Sequence, residues 1–191
     1  MLTGIEQLRL GGTPIDGATA LDFWRWAFAD LRQNALRGVF AEWVVAHVMG
    51  IERECRDPWA DCDLVTAQGL RIEVKAAAYR QSWHAEGAPP SKIVFSGLHG
   101  RRFENGRYIE ASTYNADLYI FCLLDNLDPA ADPFELERWR FWTLSAGDLG
   151  RPTPNSGQRR SITLASVIRE GRSVTAAELK GLGAIGRRGP R

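Results

Sequence analysis

Three charged residues near the middle of the chain, Asp63, Glu73 and Lys75, stand in short runs of β-branched residues. Side chains alternate along a β-strand, so Glu73 and Lys75 point to one face while Val74 points to the other. If residues 67–69 form the turn of a hairpin, Asp63 lies across from Glu73, and carboxylates that face each other repel. The spacing therefore predicts a cation between the two carboxylates.

A divalent, oxygen-seeking cation, Mg²⁺ or Mn²⁺, suits this pair, because such ions bind to one or two carboxylates and complete their shells with water and phosphate oxygens. Lys75 would then lie beside a water at the ion. Its ammonium can orient that water and stabilise negative charge on a phosphate under attack. The three residue types together indicate hydrolysis of a phosphodiester.

The elements around these residues would position them as a unit. The segments 61–66 (DCDLVT) and 70–77 (LRIEVKAA) have the composition of paired strands. Ahead of them, residues 34–49 repeat apolar side chains at helical spacing, carry Glu42 near the edge of the apolar stripe and end at Gly50. The sequence thus predicts a helix followed by a hairpin, with acidic residues on both.

Helical and strand patterns alternate through the rest of the chain. A further amphipathic helix is predicted over 18–31 with Asp16 as its cap, and a closing helix over 173–182. Strands are predicted over 91–97, 101–111, 117–124 and 138–145, and a short element follows near 162–168. Helices first, then strands, then a closing helix indicate an α+β (mixed α/β) fold in a single domain over 1–191, with 181–191 a flexible basic tail.

Composition limits the classes of function. A net charge of +1 on 191 residues disfavours a protein that coats nucleic acid through bulk electrostatics, although a local basic groove remains compatible. Three cysteines without a close CxxC pair argue against a disulfide framework or structural zinc, and no apolar run has the length of a membrane span. We therefore expect a cytoplasmic protein with no membrane partner.

The pattern Asp63, then Glu73-Val74-Lys75, preceded by a helix with Glu42, resembles the motif of the PD-(D/E)XK nuclease superfamily. The resemblance covers about residues 34–125; the usual Pro before the first Asp is absent. It implies a restriction-endonuclease-like core with a central mixed sheet flanked by helices. It also implies that Glu42 joins the metal site and that Val74 contributes its backbone carbonyl.

Within that superfamily, the chain is similar to a group of small, little-characterised bacterial members in which a Gln and a Trp follow the Lys strand, here Gln81 and Trp83. Gln81 would contact phosphate or the attacking water, or else be a loop residue. Arg80, Trp83 and His84 could line a nucleic-acid groove, where aromatic stacking and Arg contacts recur. Packing of Trp83 in the core is the equal alternative.

Two features test how specific the motif is. Glu178-Leu179-Lys180 repeats the Glu-X-Lys triplet, but it lies in a predicted helix with no acidic strand before it, and we interpret it as a helix surface. Asp61 shares a strand face with Asp63, and the hairpin register favours Asp63 as the ligand.

The hypothesis that follows is a Mg²⁺-dependent endonuclease acting on DNA, with Asp63 and Glu73 on the ion, Glu42 and Gln81 assisting, and Lys75 activating water. RNA or a branched structure is an alternative substrate. A catalytically inactive nucleic-acid-binding domain of the same fold is the main rival. An interaction module with an incidental charged hairpin, solvated on that face, is the other. Cutting both strands of a duplex would favour a homodimer.

Overall fold

The N-terminal segment forms a β-hairpin that the sequence patterns did not predict. The structure is a computed structural model, and it describes residues 1–52, 55–104, 106–128, 130–150 and 159–183. Strand β1 (Gln7–Leu10) pairs antiparallel with β2 (Thr13–Thr19). Gly11 and Gly12 make the turn at φ of 56° and 86°, which a residue without a Cβ adopts at low cost.

Helix α1 (Ala20–Phe28) follows directly and confirms the predicted amphipathic helix, but in a shorter form. The predicted cap was wrong: Thr19, not Asp16, is the N-cap, and it forms a reciprocal capping box with Asp22. None of the α1 residues is buried, and Phe23 and Trp26 are 54% and 84% exposed. The apolar stripe of α1 therefore covers no part of the core.

Helix α2 (Asn34–Met49) matches the predicted helix and ends where Gly50 adopts a left-handed conformation at φ 68°. The backbone N–H of Gly50 reaches the carbonyls of the last turn, as expected for a C-terminal glycine cap. The helix buries Phe40, Ala41, Val44 and Val45. The strand Arg71–Ala78 of the predicted second hairpin packs against this face of α2. The position of α2 on that strand therefore determines where Glu42 lies.

The remaining elements succeed one another in short steps. In chain order they are β3 (Leu64–Val65), β4 (Arg71–Ala78), β5 (Val94–Ser96), β6 (Gly100–Glu104), β7 (Arg107–Thr113), β8 (Leu118–Leu124), a 3₁₀ turn (Leu136–Arg138), β9 (Trp139–Ser145), α3 (Ala146–Leu149), β10 (Ser161–Thr163), α4 (Leu164–Glu170), β11 (Arg172–Val174) and α5 (Ala176–Leu182).

Five of these strands form the central sheet in the order β11-β9-β8-β4-β3. Strands β4 and β8 run parallel and the other neighbours run antiparallel, so the sheet is mixed. Smaller two-stranded pairs are formed by β5 with β10 and by β6 with β7. The expected α+β class with a central mixed sheet and flanking helices is confirmed.

The predicted hairpin is present in the predicted register. Leu64 pairs with Ile72 and Val65 with Arg71. The turn spans residues 67–69, because the N–H of Thr66 donates to the carbonyl of Leu70, and Gly69 takes φ 82°. Continuing the same register by one step places Asp63 opposite Glu73.

Each face of the sheet is buried against a different layer. Ile72, Val74 and Cys122 belong to the apolar cluster shared with α2 and α5. Tyr119, Phe121 and their neighbours belong to a second cluster that includes residues of β5, β10 and α4. The alternation along β4 therefore sends Val74 toward α2 and turns Glu73 and Lys75 to the opposite face.

Several predicted boundaries differ from those of the structure. The predicted strand over 101–111 is two strands, β6 and β7, with Gly106 between them at φ 78°. In the closing region, β11 precedes α5, and Gly181 and Leu182 of the predicted tail are the last residues of α5. Residues 184–191 of that tail lie outside the described residues. Among the helices of the described ranges, none combines the length and the apolar character needed to cross a bilayer.

Candidate functional site

Asp63 lies immediately before β3, at the point where β3 ends its pairing with β4. Its Oδ2 accepts a hydrogen bond from the backbone N–H of Val74 at 2.7 Å. In a longer hairpin this N–H would donate to a backbone carbonyl of the partner strand. The carboxylate of Asp63 therefore replaces the missing ladder partner and is held against β4 by the backbone itself.

Glu73 and Lys75 leave β4 on the same face, as the strand pattern predicted. The Nζ of Lys75 lies 2.6 Å from Oε1 of Glu73, and the two side chains are only 19% and 18% exposed. Gly97 lies beside this ammonium, since a Cβ built there would be in ordinary van der Waals contact with the Lys75 Nζ, at 3.8 Å. A half-buried ion pair of this kind keeps the ammonium beside the carboxylate.

The protonation of Asp63 reports how crowded the carboxylates are. Burial, followed by the negative charges of Glu73 and Glu42, raises the pKa of Asp63 to about 7. The Val74 N–H and the Lys75 ammonium offset only part of this effect. Three carboxylates from three elements therefore share one poorly solvated region.

Glu42 reaches this region from α2 and is bound there by an arginine. Arg56 donates to both Glu42 oxygens, from Nε at 2.6 Å and from Nη2 at 3.0 Å, and the Glu42 side chain is 13% exposed. This pairing raises the pKa of Arg56. Glu42, Arg56 and Asp63 also line a cavity of about 780 Å³ together with apolar residues of α2. The site is thus open to a ligand on the α2 side.

The donor set fits a hard cation, but the carboxylates are not arranged around one. Asp63, Glu73 and Glu42 offer oxygen ligands, and the Val74 carbonyl points to the same side of β4 as its N–H. Within the described part of the chain, no group of three or more His, Cys, Asp or Glu side chains is placed to hold a metal ion. The carboxylates of Glu42 and Glu73 instead accept hydrogen bonds from Arg56 and Lys75.

Asp61, the alternative ligand, is directed elsewhere. Its Oδ2 lies 3.9 Å from Nη2 of Arg71, and its side chain is 38% exposed. Asp63 instead contacts β4 at Val74. The two aspartates therefore have different partners, Arg71 for Asp61 and the Val74 N–H for Asp63, and the choice of Asp63 as the ligand stays a prediction.

Gln81, predicted at the catalytic site, lies three residues beyond the end of β4 and binds to α2. Its Oε1 accepts from Nη1 of Arg37 at 3.0 Å, and its Nε2 donates to the Ala78 carbonyl at 3.0 Å. Gln81 and Lys75 line one cavity, different from the one beside Glu42. The structure thus places Gln81 in the cavity lined by Lys75 and not in the cavity lined by Glu42 and Asp63.

The predicted nucleic-acid contacts cluster in the loop after β4. Trp83 is 65% exposed, so the alternative of core packing is wrong. Arg80 donates from Nε to the Leu127 carbonyl at 2.9 Å, and Nε2 of His84 lies 3.5 Å from Oγ of Ser91. Trp83 is therefore available for stacking, while Arg80 and His84 are partly engaged within the protein.

The second Glu-X-Lys triplet lies on the surface, as interpreted from the sequence. Glu178 belongs to the capping box of α5 with Thr175. Glu178 and Lys180 are both exposed. The triplet on β4 differs from it because burial and a facing aspartate constrain its side chains.

Two residues of the region were not singled out from the sequence, Arg56 and Arg37. Arg56 carried no signal, because its contact with Glu42 spans 14 residues and a loop. Arg37 did carry one: it lies three residues before Phe40 in the apolar repeat of α2 and is 2% exposed. A charged residue within an apolar helical repeat is the pattern that could have identified it.

No model of a known protein family matches the chain, and the comparison with curated proteins found no match.

Proposed function

We propose that this protein is a divalent-metal-dependent nuclease of the PD-(D/E)XK type that hydrolyses phosphodiester bonds, with DNA as its expected substrate. Asp63, Glu73 and Glu42 would hold Mg²⁺ or Mn²⁺ together with the Val74 carbonyl. The observation that carries the proposal is the half-buried carboxylate of Asp63, which lies opposite Glu73 in the hairpin register and is held there by the backbone N–H of Val74.

When bound, the ion would neutralise charge on the phosphate and so lower the barrier to its attack by water. The protein's own contribution is positional. Lys75 is held 2.6 Å from Glu73, where its ammonium can orient the water and stabilise charge that develops on the phosphate oxygens. The hydrogen bond from Val74 to Asp63 keeps this carboxylate in place, whereas Glu73 and Glu42 would have to turn from Lys75 and Arg56 toward the ion.

A second candidate, a nucleic-acid-binding domain of the same fold without catalysis, is favoured by a specific observation. Arg56 binds both oxygens of Glu42, so a cation must compete with a bidentate ion pair. Such a pair is stronger than a single charge-assisted contact. If Glu42 stays paired with Arg56 and binds no cation, the protein would keep its fold and its nucleic-acid surface but would not hydrolyse the strand.

The decisive experiment is calorimetry with Mg²⁺ and Mn²⁺ on the wild type and on Asp63→Asn. We expect the substitution to weaken ion binding by about tenfold or more, because it removes one of the charged ligands. Asp61→Asn is the matched control, since Asp61 is on the same segment but pairs with Arg71, and it should bind like the wild type. Equal binding by wild type and Asp63→Asn would overturn the metal site.

Cleavage assays then separate the two candidates. Supercoiled plasmid, single-stranded DNA and RNA are incubated with the protein and Mg²⁺ or Mn²⁺. Cleavage by the wild type and not by Asp63→Asn supports the nuclease. Ion and nucleic-acid binding with no cleavage of any substrate would instead support the inactive binding domain.

A further inference from the structure

A second cavity adjoins the carboxylate site on the far side of Lys75. It has a volume of about 340 Å³ and is formed by the start of α2, the end of β4 with the following loop, and β5. Its polar lining includes Asn34, Arg37, Lys75, Gln81 and Lys92. No described acidic residue lines it. Lys75 is paired with Glu73, whose carboxylate is not part of the lining, so Arg37 and Lys92 are the cations that give the cavity its positive charge.

Arg37 is the main source of that charge and is almost entirely buried, at 2% exposure. Its Nη1 donates to the Arg32 carbonyl at 2.8 Å and to Oε1 of Gln81 at 3.0 Å, and its Nη2 donates to Oδ1 of Asn34. Its Nε is buried and makes no hydrogen bond to any described residue. All of the observed acceptors are neutral, and burying a charge without a counter-ion is strongly unfavourable.

The N-terminus of α2 adds to the positive potential at the same place. The first turn of this 16-residue helix contains no acidic residue, and its N-cap, Gln33, makes no side-chain capping hydrogen bond. Free N–H groups and the helix dipole favour an anion at such an end. Asn34 and Arg37, from the first and second turns, line the cavity. The helix end and the buried guanidinium thus point to the same class of ligand.

The rim of the cavity is suited to a nucleotide. Lys92 is exposed there and adds a positive charge. Trp83, which is 65% exposed, also lines the cavity and offers a face for stacking a base. Lys75 lines the cavity and contacts Glu73 as well, so the cavity and the carboxylates share one side chain.

We propose that this cavity binds a phosphate group of the nucleic-acid strand, next to the phosphodiester that is cut at Asp63 and Glu73. The inference rests on the proposed function for the identity of the strand, but the phosphate chemistry comes from Arg37, Lys92 and the start of α2. The bound oxyanion would be the counter-ion that Arg37 lacks among the described residues.

The test is binding of inorganic phosphate to the metal-free protein, measured by calorimetry. We expect Arg37→Gln to weaken phosphate binding by about tenfold or more, because it removes the buried charge. Arg32→Gln is the control, since the Arg32 side chain is 59% exposed and pairs with Asp30, and it should leave the affinity unchanged. Unchanged binding by a folded Arg37→Gln protein would overturn the proposal.

Two further measurements keep the proposal testable if Arg37→Gln does not fold. Lys92→Gln changes an exposed rim residue and should reduce phosphate affinity by about threefold or more; no reduction would count against the cavity. In ¹H–¹⁵N spectra of the wild type, the Arg37 Nε–H signal should move on saturation with phosphate, and a signal that stays in place would also overturn the proposal.

Competition identifies the source of the phosphate group. Short DNA duplexes with phosphorylated or hydroxyl ends are added to the metal-free Asp63→Asn protein with inorganic phosphate present. Displacement only by phosphorylated ends assigns the cavity to a terminal phosphate, and equal displacement by both assigns it to an internal phosphodiester. No displacement by either would overturn the proposed link to the strand. Because this assay contains no divalent ion, its outcome does not depend on the metal site, and failure of the metal site would be seen separately in the calorimetry with Mg²⁺ and Mn²⁺.

Discussion

At the scale of single residues, the site depends on charges held close together and away from water. Asp63, Glu73 and Glu42 come from a strand edge, a strand and a helix, and Lys75 and Arg56 supply the opposing charges. A carboxylate in such surroundings holds its proton to higher pH than a solvated one. The pKa of Asp63 therefore depends on how closely Glu73 and Glu42 approach it and on how little water surrounds it.

The pH dependence of stability tests this crowding in the metal-free protein. The pKa of Asp63 is raised in the folded state from 3.8 to about 7, so between these values the folded state binds more protons than the unfolded one. The contribution of Asp63 to the free energy of unfolding should therefore rise as pH falls through 7 toward 4, at most by about 1.4 kcal/mol per pH unit.

Asp63→Asn isolates this contribution, because the amide oxygen can still accept the Val74 N–H. Chemical denaturation should show the variant more stable than the wild type at about pH 8, with a difference that shrinks toward about pH 5. A difference independent of pH would mean that Asp63 ionises as freely in the folded protein as in the unfolded chain.

Lys75 is expected to act in the reaction and not in ion binding. Lys75→Ala should leave Mg²⁺ affinity unchanged or higher, since Glu73 loses a competing cation, while cleavage falls by about 100-fold or more. Lys180→Ala provides the matched control from the exposed triplet on α5, and its cleavage rate should equal that of the wild type. Retained cutting by Lys75→Ala would remove the residue from the mechanism.

At the scale of elements, the hairpin of β3 and β4 positions two of the three carboxylates. Its register depends on a turn that closes at Gly69 with φ 82°. A slip of one residue would send Asp63 to the opposite face from Glu73. The turn is therefore as important to the site as the charged residues.

Replacing Gly69 tests this turn. Nothing lies within 4 Å of a Cβ built at Gly69 or at Gly38, so the two glycines differ in backbone conformation and not in available space. Gly69→Ala should lower the free energy of unfolding by about 1 kcal/mol, because a left-handed conformation is strained for alanine. Gly38→Ala, within α2, should raise it by up to about 1 kcal/mol. Denaturant titration measures both, and equal shifts would contradict the assigned turn.

At the scale of the whole molecule, apolar side chains are distributed unevenly. The aromatic residues of β8 and β9 in the central sheet are buried, whereas Phe23, Trp26 and Phe28 of α1 are exposed. Trp139 is 5% exposed and donates from Nε1 to the Pro133 carbonyl at 2.8 Å, while Trp26 is 84% exposed. The two tryptophans should therefore contribute very differently to folding.

Substitution of these tryptophans measures that difference. Trp139→Ala should cost about 3 to 5 kcal/mol of unfolding free energy, because it leaves a large cavity in the core. Trp26→Ala should change it by less than about 0.5 kcal/mol. A large loss of stability in Trp26→Ala, seen in denaturation at several protein concentrations, would show that α1 is covered in solution.

The local elements of the site were predictable from sequence. Helix α2, the strands of the hairpin, its turn and the pairing of Asp63 with Glu73 follow from periods of 3.6 and 2 and from one glycine, all of which act over short stretches of chain. The preference for Asp63 over Asp61 followed from the same register. The predicted metal, substrate and nuclease activity remain predictions.

Only the tertiary structure decided which distant groups meet. The pairing of Arg56 with Glu42, the contact of Gln81 with Arg37 and the parallel placement of β8 beside β4 join residues separated by 14 to 46 positions. No local periodicity encodes such contacts, because they depend on how layers pack. The sequence by itself determined the helix, the hairpin and the facing carboxylates, while packing alone decided which cations neutralise them and which buried arginine has only neutral acceptors.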